Sequence, residues 1–423
     1  MSVTPIPVQL DVAIIGGGVA GLWLANRLRN AGYHLALFEA RALGSEQTVA
    51  SQGMIHGGMK YTLSGTLTGA SEAIAEMPRH WRSCLCGDGD VDLRNTRILS
   101  DHFYMWSSET ITSRLTTFLA SKLTRGRVDP VADDKRPPLL RNHHFKGSLY
   151  RLEDLVLDVP SLITNLAHNL PGSLFQIDAS RTRLVATPEG EVRMLIEQGD
   201  QIIEVTAQRI ILTAGKGNAA LLDQLGLQQP AMQLRPLQQV MVKHAYPHRF
   251  FGHCLGAETT PRLTISSHTT SYGAPVWYLG GNLAERGAQQ DAATLIENAQ
   301  QELADLMPWL DFSQAEWATL PVERAEPLQR NFARPDNAFA APVAGVNNLL
   351  VGWPTKLTLA PNLANETLAL LQRAGVMPAG TQQANPLSHY LTHPPIARTP
   401  WDIAFPPPPD ADPTEEEDSH ADT

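Results

Sequence analysis

The stretch VQLDVAIIGGGVAGLWLANRLRNAGYHLALFE, residues 8–39, decides the fold. Val8 to Ile15 is a short apolar run rich in β-branched residues. It ends abruptly in three glycines, which reads as a buried parallel strand. From Val19 the spacing becomes helical: Leu22, Leu24, Ala25 and Leu28 form an apolar stripe, with Asn26, Arg27 and Arg29 opposite, and Gly32 stops the helix. His34 to Phe38 is a second strand that closes at Glu39. The three elements make a βαβ unit of about 30 residues.

Gly16-Gly17-Gly18-Val19-Ala20-Gly21 fits Gly-x-Gly-x-x-Gly. The pattern alone is weak. It gains force by following a strand, opening a helix and preceding an acid, Glu39, at a strand end. Gly16 permits the tight turn, Gly18 lets backbone approach a pyrophosphate, and Gly21 lets helix and strand pack closely. The helix N-terminus offers N–H groups to phosphate, and Glu39 is placed for a ribose hydroxyl. FAD and NAD share this signal. Two later stretches favour FAD: Ser51-Gln52-Gly53-Met54-Ile55-His56-Gly57-Gly58, and the late strand and turn Leu349 to Ala360, which returns the chain to the nucleotide.

Outward from these, Gly44 to Gly69 reads as a long functional loop and Asp88 to Lys146 as irregular and polar. Val159 to Leu170 is helical. Phe175 to Val185 and Val192 to Val205 read as strands, and Arg209 to Thr213 as a further strand ending at Ala214-Gly215. A helix from Asn218 to Leu225 follows. Gln238–His244, Thr264–Ser267 and Val276–Leu279 alternate like strands. Ala292 to Leu306 and Pro361 to Ala374 are amphipathic helices.

The chain of 423 residues has a formal net charge of −10. Seven of its acids, with no Lys or Arg, lie between Pro406 and Thr423, so the body carries only −3. That near-neutral body gives no electrostatic reason to bind nucleic acid. Three cysteines cannot make a disulfide framework, which points to a reducing, cytoplasmic setting. Cys84-Leu85-Cys86 lacks the spacing of a zinc knuckle or a thioredoxin site, so no metal is expected. No secretory signal and no run of about 18 apolar residues is read; a peripheral membrane contact stays open. Asn142-His143-His144 reads as a loop, no Gly-x-Ser-x-Gly elbow is present, and the eight tryptophans read as core or pocket walls.

With these stretches in hand, the chain resembles the FAD-dependent D-amino-acid oxidase superfamily, over roughly residues 8 to 375. SQGMIHGGMKY, residues 51–61, is similar to segments of the L-2-hydroxyglutarate and flavin glycerol-3-phosphate dehydrogenases. Ile210 to Gly215 resembles the family strand passing beside FAD. Val351 to Thr358 stands at its C-terminal flavin motif. One departure is Trp353-Pro354-Thr355, where the family usually has further glycines; proline stiffens this loop. Lys356-Leu357-Thr358 resembles the Lys-Leu-Ser of sarcosine oxidase-like enzymes, where the lysine lies near flavin and substrate carboxylate.

The resemblance implies an α/β fold. A Rossmann-like, glutathione-reductase-type FAD domain (8–82, 150–223, 340–400) would be interleaved with an α+β substrate domain on a mixed sheet (83–149, 224–339). A disordered acidic tail, 401–423, would follow. FAD contacts are expected from Gly16, Gly18, Val19, Ala20, Gly21, Glu39, Ala40, Arg41, Ser51, Gln52, Gly53, Ile55, His56, Ala214, Gly215, Gly352, Pro354, Thr355, Lys356 and Leu357. Lys356 is the candidate to stabilise negative charge on the flavin. His56 would act as base or orient the ring, and a histidine of a similar motif carries covalent FAD in dimethylglycine dehydrogenase-like relatives. Arg324 stands at the family's Gly-x-Arg-Pro arginine and would clamp a carboxylate. Tyr61 and Tyr278, with Lys60 and Tyr272 as weaker candidates, would line the substrate site.

The expected reaction is hydride transfer to FAD from a small, carboxylate-bearing amine, amino acid or hydroxy acid. Electrons would pass to O2 or another acceptor. One alternative is a glycerol-3-phosphate-type dehydrogenase, with Lys60, Arg324 and Arg334 for the phosphate. Another is a non-catalytic FAD-binding assembly or maturation protein.

Overall fold

The structure is a computed structural model, and it describes residues 4–57, 74–108, 128–256, 258, 260–380 and 385–408. Three successive elements follow the apolar pattern: strand β1 (Ile6–Ile15), helix α1 (Val19–Asn30) and strand β2 (Leu35–Glu39). Ile15 closes β1 because Gly16 turns the chain at φ +113°. After Asn30 the helix yields to Ala31 and to Gly32 at φ +89°. Helix α1 buries Leu22, Trp23, Leu24, Ala25 and Leu28 completely, each large side chain contributing about 1.5–3 kcal/mol.

The chain divides into two compact units. The first comprises residues 1–103, 152–237 and 322–397, and the second 104–151, 238–321 and 398–423. In the first unit a sheet runs in the order Thr182–Ala186, Val192–Gln198, Gln201–Leu212, β1, β2, Leu174–Gln176. Leu349–Trp353 pairs with the end of Gln201–Leu212, parallel to it, and Phe339–Pro342 pairs with Leu349–Trp353. The carboxyl ends of β1, Gln201–Leu212 and Leu349–Trp353 are thereby neighbours, as expected for a nucleotide crevice. Helix Val159–His168 starts where Asp158 accepts a hydrogen bond from Ser161 N, and Ala360–Arg373 packs against α1.

The second unit is built on most of another eight-stranded sheet. Its order is Glu316–Pro327, Met232–Lys243, Pro275–Gly280, Leu263–Thr269, Phe251–Leu255, Phe103–Ser107, Leu149–Leu152, Val128–Pro130. The pairing of Phe103–Ser107 with Phe251–Leu255 is parallel and those of Leu263–Thr269 with its two neighbours antiparallel, so the sheet is mixed. Helix Ala292–Leu306 covers one face through Leu295, Ala299 and Leu303, with Val240, Trp277 and Leu279 beneath.

Several expectations are corrected. Residues 192–205 and 209–213 are not two strands. The turn at Gly199 splits the first, and a single strand runs from Gln201 to Leu212. Asn26, placed on the polar side of α1, is buried; its Nδ2 donates to Leu22 O and Leu166 O, because a second helix covers that side. The stretch 88–146, expected to be irregular, supplies strands Ile98–Ser100, Phe103–Ser107 and Val128–Pro130.

The unit boundaries also differ from the expected domains. Residues 83–103 join the nucleotide unit because Cys84, Val91 and Leu93 pack into its core with Trp23. Residues 224–237 and 322–339 join it with Met232, Ala325 and Phe339. The tail was expected from residue 401, yet Pro400–Ala404 is a helix, with Trp401 and Phe405 buried against Met241, Val276 and Tyr278.

Candidate functional site

The glycine loop has the geometry a dinucleotide needs. A Cβ on Gly21 would stand 2.0 Å from Gly16 O, and one on Gly16 would stand 2.6 Å from Ala214 backbone. Both positions therefore exclude any side chain. At Gly18 a Cβ would meet only Thr48 Oγ1, at 3.2 Å. Gly18 is the N-cap of α1 and supplies no side-chain cap. Apart from Thr48 nothing among the described residues stands within 4 Å of that position, at a helix N-terminus where a pyrophosphate fits. Glu39 sits at the end of β2, with Oε2 accepting from Gly17 N at 2.6 Å and Oε1 from Arg41 N at 2.7 Å. These two bonds hold the carboxylate beside the loop and leave lone pairs for ribose hydroxyls. Ala40 and Arg41 are exposed, and Arg41 pairs with Glu46.

The three strand ends are tied by Thr213, Asn218 and Trp353, of which only Trp353 stood out in the sequence, as a departure from the family's glycines. Thr213 Oγ1 donates to Gly16 O at 3.0 Å, and Ala214 N donates to Asn218 Oδ1 at 2.8 Å. Trp353 Nε1 donates to Gly215 O at 3.1 Å, with Gly215 at φ +58°. The only sequence signal for Asn218 was its place after Ala-Gly-x-Gly.

The Ser51–Gly57 segment meets the Lys356 loop at Thr358. His56 N donates to Thr358 Oγ1 at 3.3 Å, and Trp81 Nε1 donates to Thr358 O at 3.0 Å. Gly57 N donates to Asp154 Oδ1. Gly53, at φ +72°, would put a Cβ 2.1 Å from Leu157 O. Ile55 is fully buried and His56 nearly so. Ser51 Oγ is buried with no hydrogen-bond partner among the described residues, an orphan in the segment expected to hold the cofactor. Open backbone at Gly18, a fixed acid at Glu39 and this orphan hydroxyl fit FAD.

Beyond Trp353, Pro354 leads into Thr355 at φ +61°, a conformation β-branched residues rarely adopt. Thr355 Oγ1 donates to Asn337 O at 3.1 Å and Lys356 Nζ to Asp336 O at 3.3 Å. Partial burial, aided by the nearby charge of Arg334, pushes the Lys356 ammonium down to about 8, against the opposing pull of Asp336 and Glu326. Leu357 begins a short helical turn toward Ala360.

Arg324 lies on Glu316–Pro327, with Nε donating to Arg235 O at 3.1 Å and Nη2 reaching Pro236 O at 3.5 Å. The guanidinium expected to clamp substrate thus also ties two strands together. Two residues along, Glu326 is buried and bonded by Arg235, a pair that the sequence reading missed. In the second unit Tyr278 is fully buried in an apolar cluster, and burial pushes its phenol far up. Tyr272 donates to Phe405 O at 3.2 Å. Tyr61 and Lys60 lie outside the described residues.

Cys84 comes together with His80 and Asp90, their ligand atoms within 4.8 Å of one another. His80 and Cys84 each bond to Asp90 Oδ1, and Arg27 pairs with Asp90. Burial pushes the Cys84 thiol up to about 12. Among the described residues no helix is long and apolar enough to cross a membrane.

Residues 11–351 match the family model described as FAD dependent oxidoreductase. The chain is 50% identical over 403 residues to the probable FAD-dependent oxidoreductase PA4991 of Pseudomonas aeruginosa, covering 95% of this chain and 100% of that one. The crystal structure of that oxidoreductase superposes with a TM-score of 0.81 at 45% identity, covering 95% and 100%. Iminodiacetate oxidase from Chelativorans sp. BNC1 (TM-score 0.64, 17% identity, 91% and 100% covered) has a similar fold. So does glycine oxidase from Geobacillus kaustophilus (TM-score 0.62, 17%, 91% and 99%).

Proposed function

The chain belongs to the FAD dependent oxidoreductase family, and on that premise we propose that it oxidises a small amine, amino acid or hydroxy acid bearing a carboxylate. FAD, when bound, supplies the hydride acceptor. The chain's own residues bind the dinucleotide, orient the substrate and set the charge around the ring.

The observation that carries the substrate class is the set of charges gathered about Lys356. Arg235, Arg334, Asp336 and Glu326 all act on it electrostatically, which gives three cations against two carboxylates. Of these charges Lys356 stands in the loop after Trp353, whose ring bonds the nucleotide-side Gly215, and the other four come from Met232–Lys243, Glu316–Pro327 and residues 334–336. The excess of one positive charge suits a monoanionic substrate. In this reading Lys356 holds negative charge at the ring or the substrate carboxylate. His56, fixed through its backbone to Thr358, orients the ring or takes a hydroxyl proton. Tyr278 packs among Met241, Val276, Trp401 and Phe405, with the His268 ring beside it, and its place in this reading is to support the sheet.

Arg324 keeps its clamp role only if its guanidinium can serve a ligand while bonded to the Arg235 and Pro236 carbonyls. The two solved oxidases named for glycine and iminodiacetate support the architecture; the carboxylate assignment rests on the charges. Three free cysteines suit a reducing compartment.

Anaerobic mixing of the FAD-loaded protein with a panel of amino acids, N-substituted glycines, hydroxy acids and glycerol phosphate tests the reading. Bleaching of the flavin band by a carboxylate, weakened at least tenfold in Lys356→Met, is expected. Bleaching by glycerol phosphate alone would replace the carboxylate with a phosphate ester, and bleaching by uncharged amines alone would remove the anion-binding role. Arg324→Ala should raise KM for the bleaching carboxylate, and an unchanged KM rejects the clamp.

A further inference from the structure

Glu326 is a carboxylate only 1% exposed, held where the strand Glu316–Pro327 ends. Arg235 grips it twice, with Nε to Oε2 at 2.8 Å and Nη2 to Oε1 at 3.0 Å. Gln233 Nε2 adds a third bond at 3.3 Å. Gln233, itself buried, also donates to Ala333 O at 2.9 Å, and its Oε1 accepts from Gln329 N at 3.1 Å. Leu328 N donates to Ala231 O at 2.9 Å. One end of the 328–337 segment is therefore fixed to the Glu326 cluster. The other end provides Asp336 O and Asn337 O, which accept from Lys356 and Thr355. All of these residues lie in the first unit.

We propose that Glu326 is a positioning residue for the flavin site: with Arg235 and Gln233 it fixes the segment that seats Lys356, and its charge offsets Arg235 beside that lysine. A charge this buried is costly unless compensated, and an ion pair breakable from either side leaves a net charge when one partner is neutralised. The groups facing Lys356 are Arg334, Asp336, Glu326 and Arg235. Neutralising Glu326 removes one of the two carboxylates that act on Lys356, so two guanidinium groups then oppose its ammonium and one carboxylate supports it. The importance of this for turnover rests on the proposed role of Lys356; the positioning itself does not.

The test measures Lys356 directly. In the FAD-loaded full chain, lysines are reductively methylated with 13C-formaldehyde. The Lys356 signal is assigned by its absence in Lys356→Arg, and its titration midpoint is followed by NMR. Glu326→Gln should lower that midpoint by about one pH unit or more. The double variant Glu326→Gln with Arg235→Met removes both charges and should return it to within about half a unit of wild type. A glutamate that merely braces the fold would not give this restoration. If Glu326→Gln does not fold, Arg235→Gln, which leaves the carboxylate, should keep the midpoint at or above wild type. An unmoved midpoint in Glu326→Gln, or a lowered one in Arg235→Gln, overturns the proposal. A moved midpoint in a protein that no substrate bleaches would leave Glu326 as assigned and reject the role of Lys356 instead.

Discussion

Gly18 caps helix α1 and Gly21 lies three residues on in its first turn, and the structure assigns them opposite sensitivities to a single methyl group. At Gly21 the added Cβ falls 2.0 Å from Gly16 O and 2.8 Å from Thr213 Oγ1. Ordinary carbon contacts sit at about 3.5 Å or more. Helix α1 would have to withdraw by roughly 1 Å or more from β1, an overpacking of about 1–3 kcal/mol. Gly21→Ala should therefore lower the Tm of the flavin-free protein as well as its affinity for FAD. At Gly18 the backbone is extended, φ −71° and ψ 178°, which alanine adopts without strain. Its Cβ meets only Thr48 Oγ1, at 3.2 Å. Thr48 Oγ1, which also accepts from Val19 N, must give by a few tenths of an ångström, and this offsets a gain of up to about 1 kcal/mol through the unfolded chain, so the flavin-free Gly18→Ala protein should melt close to wild type. Yet the methyl occupies the space where phosphate must approach backbone. Thermal melting with and without FAD separates the two cases. A ligand at about 100 times its Kd adds about 2.7 kcal/mol, and at about 1 °C per kcal/mol for a chain of 423 residues that is a rise of roughly 3 °C. Wild type should show this rise, and Gly18→Ala should melt normally but lose it. A Gly18→Ala protein that melts like wild type and still shows the full FAD-dependent rise would refute the assignment of this backbone to the pyrophosphate.

Thr355→Gly should leave Tm unchanged or raise it, because the φ of +61° costs threonine and not glycine; Thr355→Val keeps the strain, loses the bond to Asn337 O and should cost about 1 kcal/mol. If the glycine variant proves the less stable of the two, the strain is not there. Trp401→Ala opens the cluster over Tyr278 and His268, on which the indole stacks at 4.3 Å, and should cost about 3–5 kcal/mol in chemical denaturation. A loss below 1 kcal/mol would mean that the C-terminal helix is not part of the core. Lys356 titrates near 8 in the fold against 10.5 when unfolded, so the folded state releases its proton first. Carrying that charge destabilises the fold fully below pH 8, and the penalty fades as pH climbs from 8 to 10.5. Lys356→Met should accordingly gain most in Tm at about pH 6–7 and least at about pH 10; a gain that grows with pH contradicts the burial argument.

The parts of this protein that were legible in its sequence are those whose cause is local. Gly16, Gly18 and Gly21 declare a turn, an open approach and a close crossing within six residues, and the periods of β1, α1 and β2 are set by side chains adjacent in the chain. The return of Leu349–Trp353 to the same sheet was legible because the resemblance tied both stretches to one cofactor. What stayed hidden depends on register between distant strands. Arg235 and Glu326 are 91 positions apart, and nothing in either neighbourhood says that Glu316–Pro327 and Met232–Lys243 will align them.

The same limit governs residue roles. Asn26 looked like solvent-facing polarity on a helix, and only the backbone carbonyl of Leu166 makes it a buried bridge. Arg324 looked like a ligand clamp, and only the carbonyls of Arg235 and Pro236 show that its guanidinium has structural work as well. A polar side chain's type states which bonds it can make. Which of them it does make is fixed by whatever the fold brings within 3 Å or so of it, so a sequence can nominate the cations of an anion site while leaving open which of them a substrate can use. In this chain that question narrows to Lys356, because its seat is built from the 328–337 segment rather than from its own helix, and the segment is anchored by a buried charge that can be removed without touching the lysine.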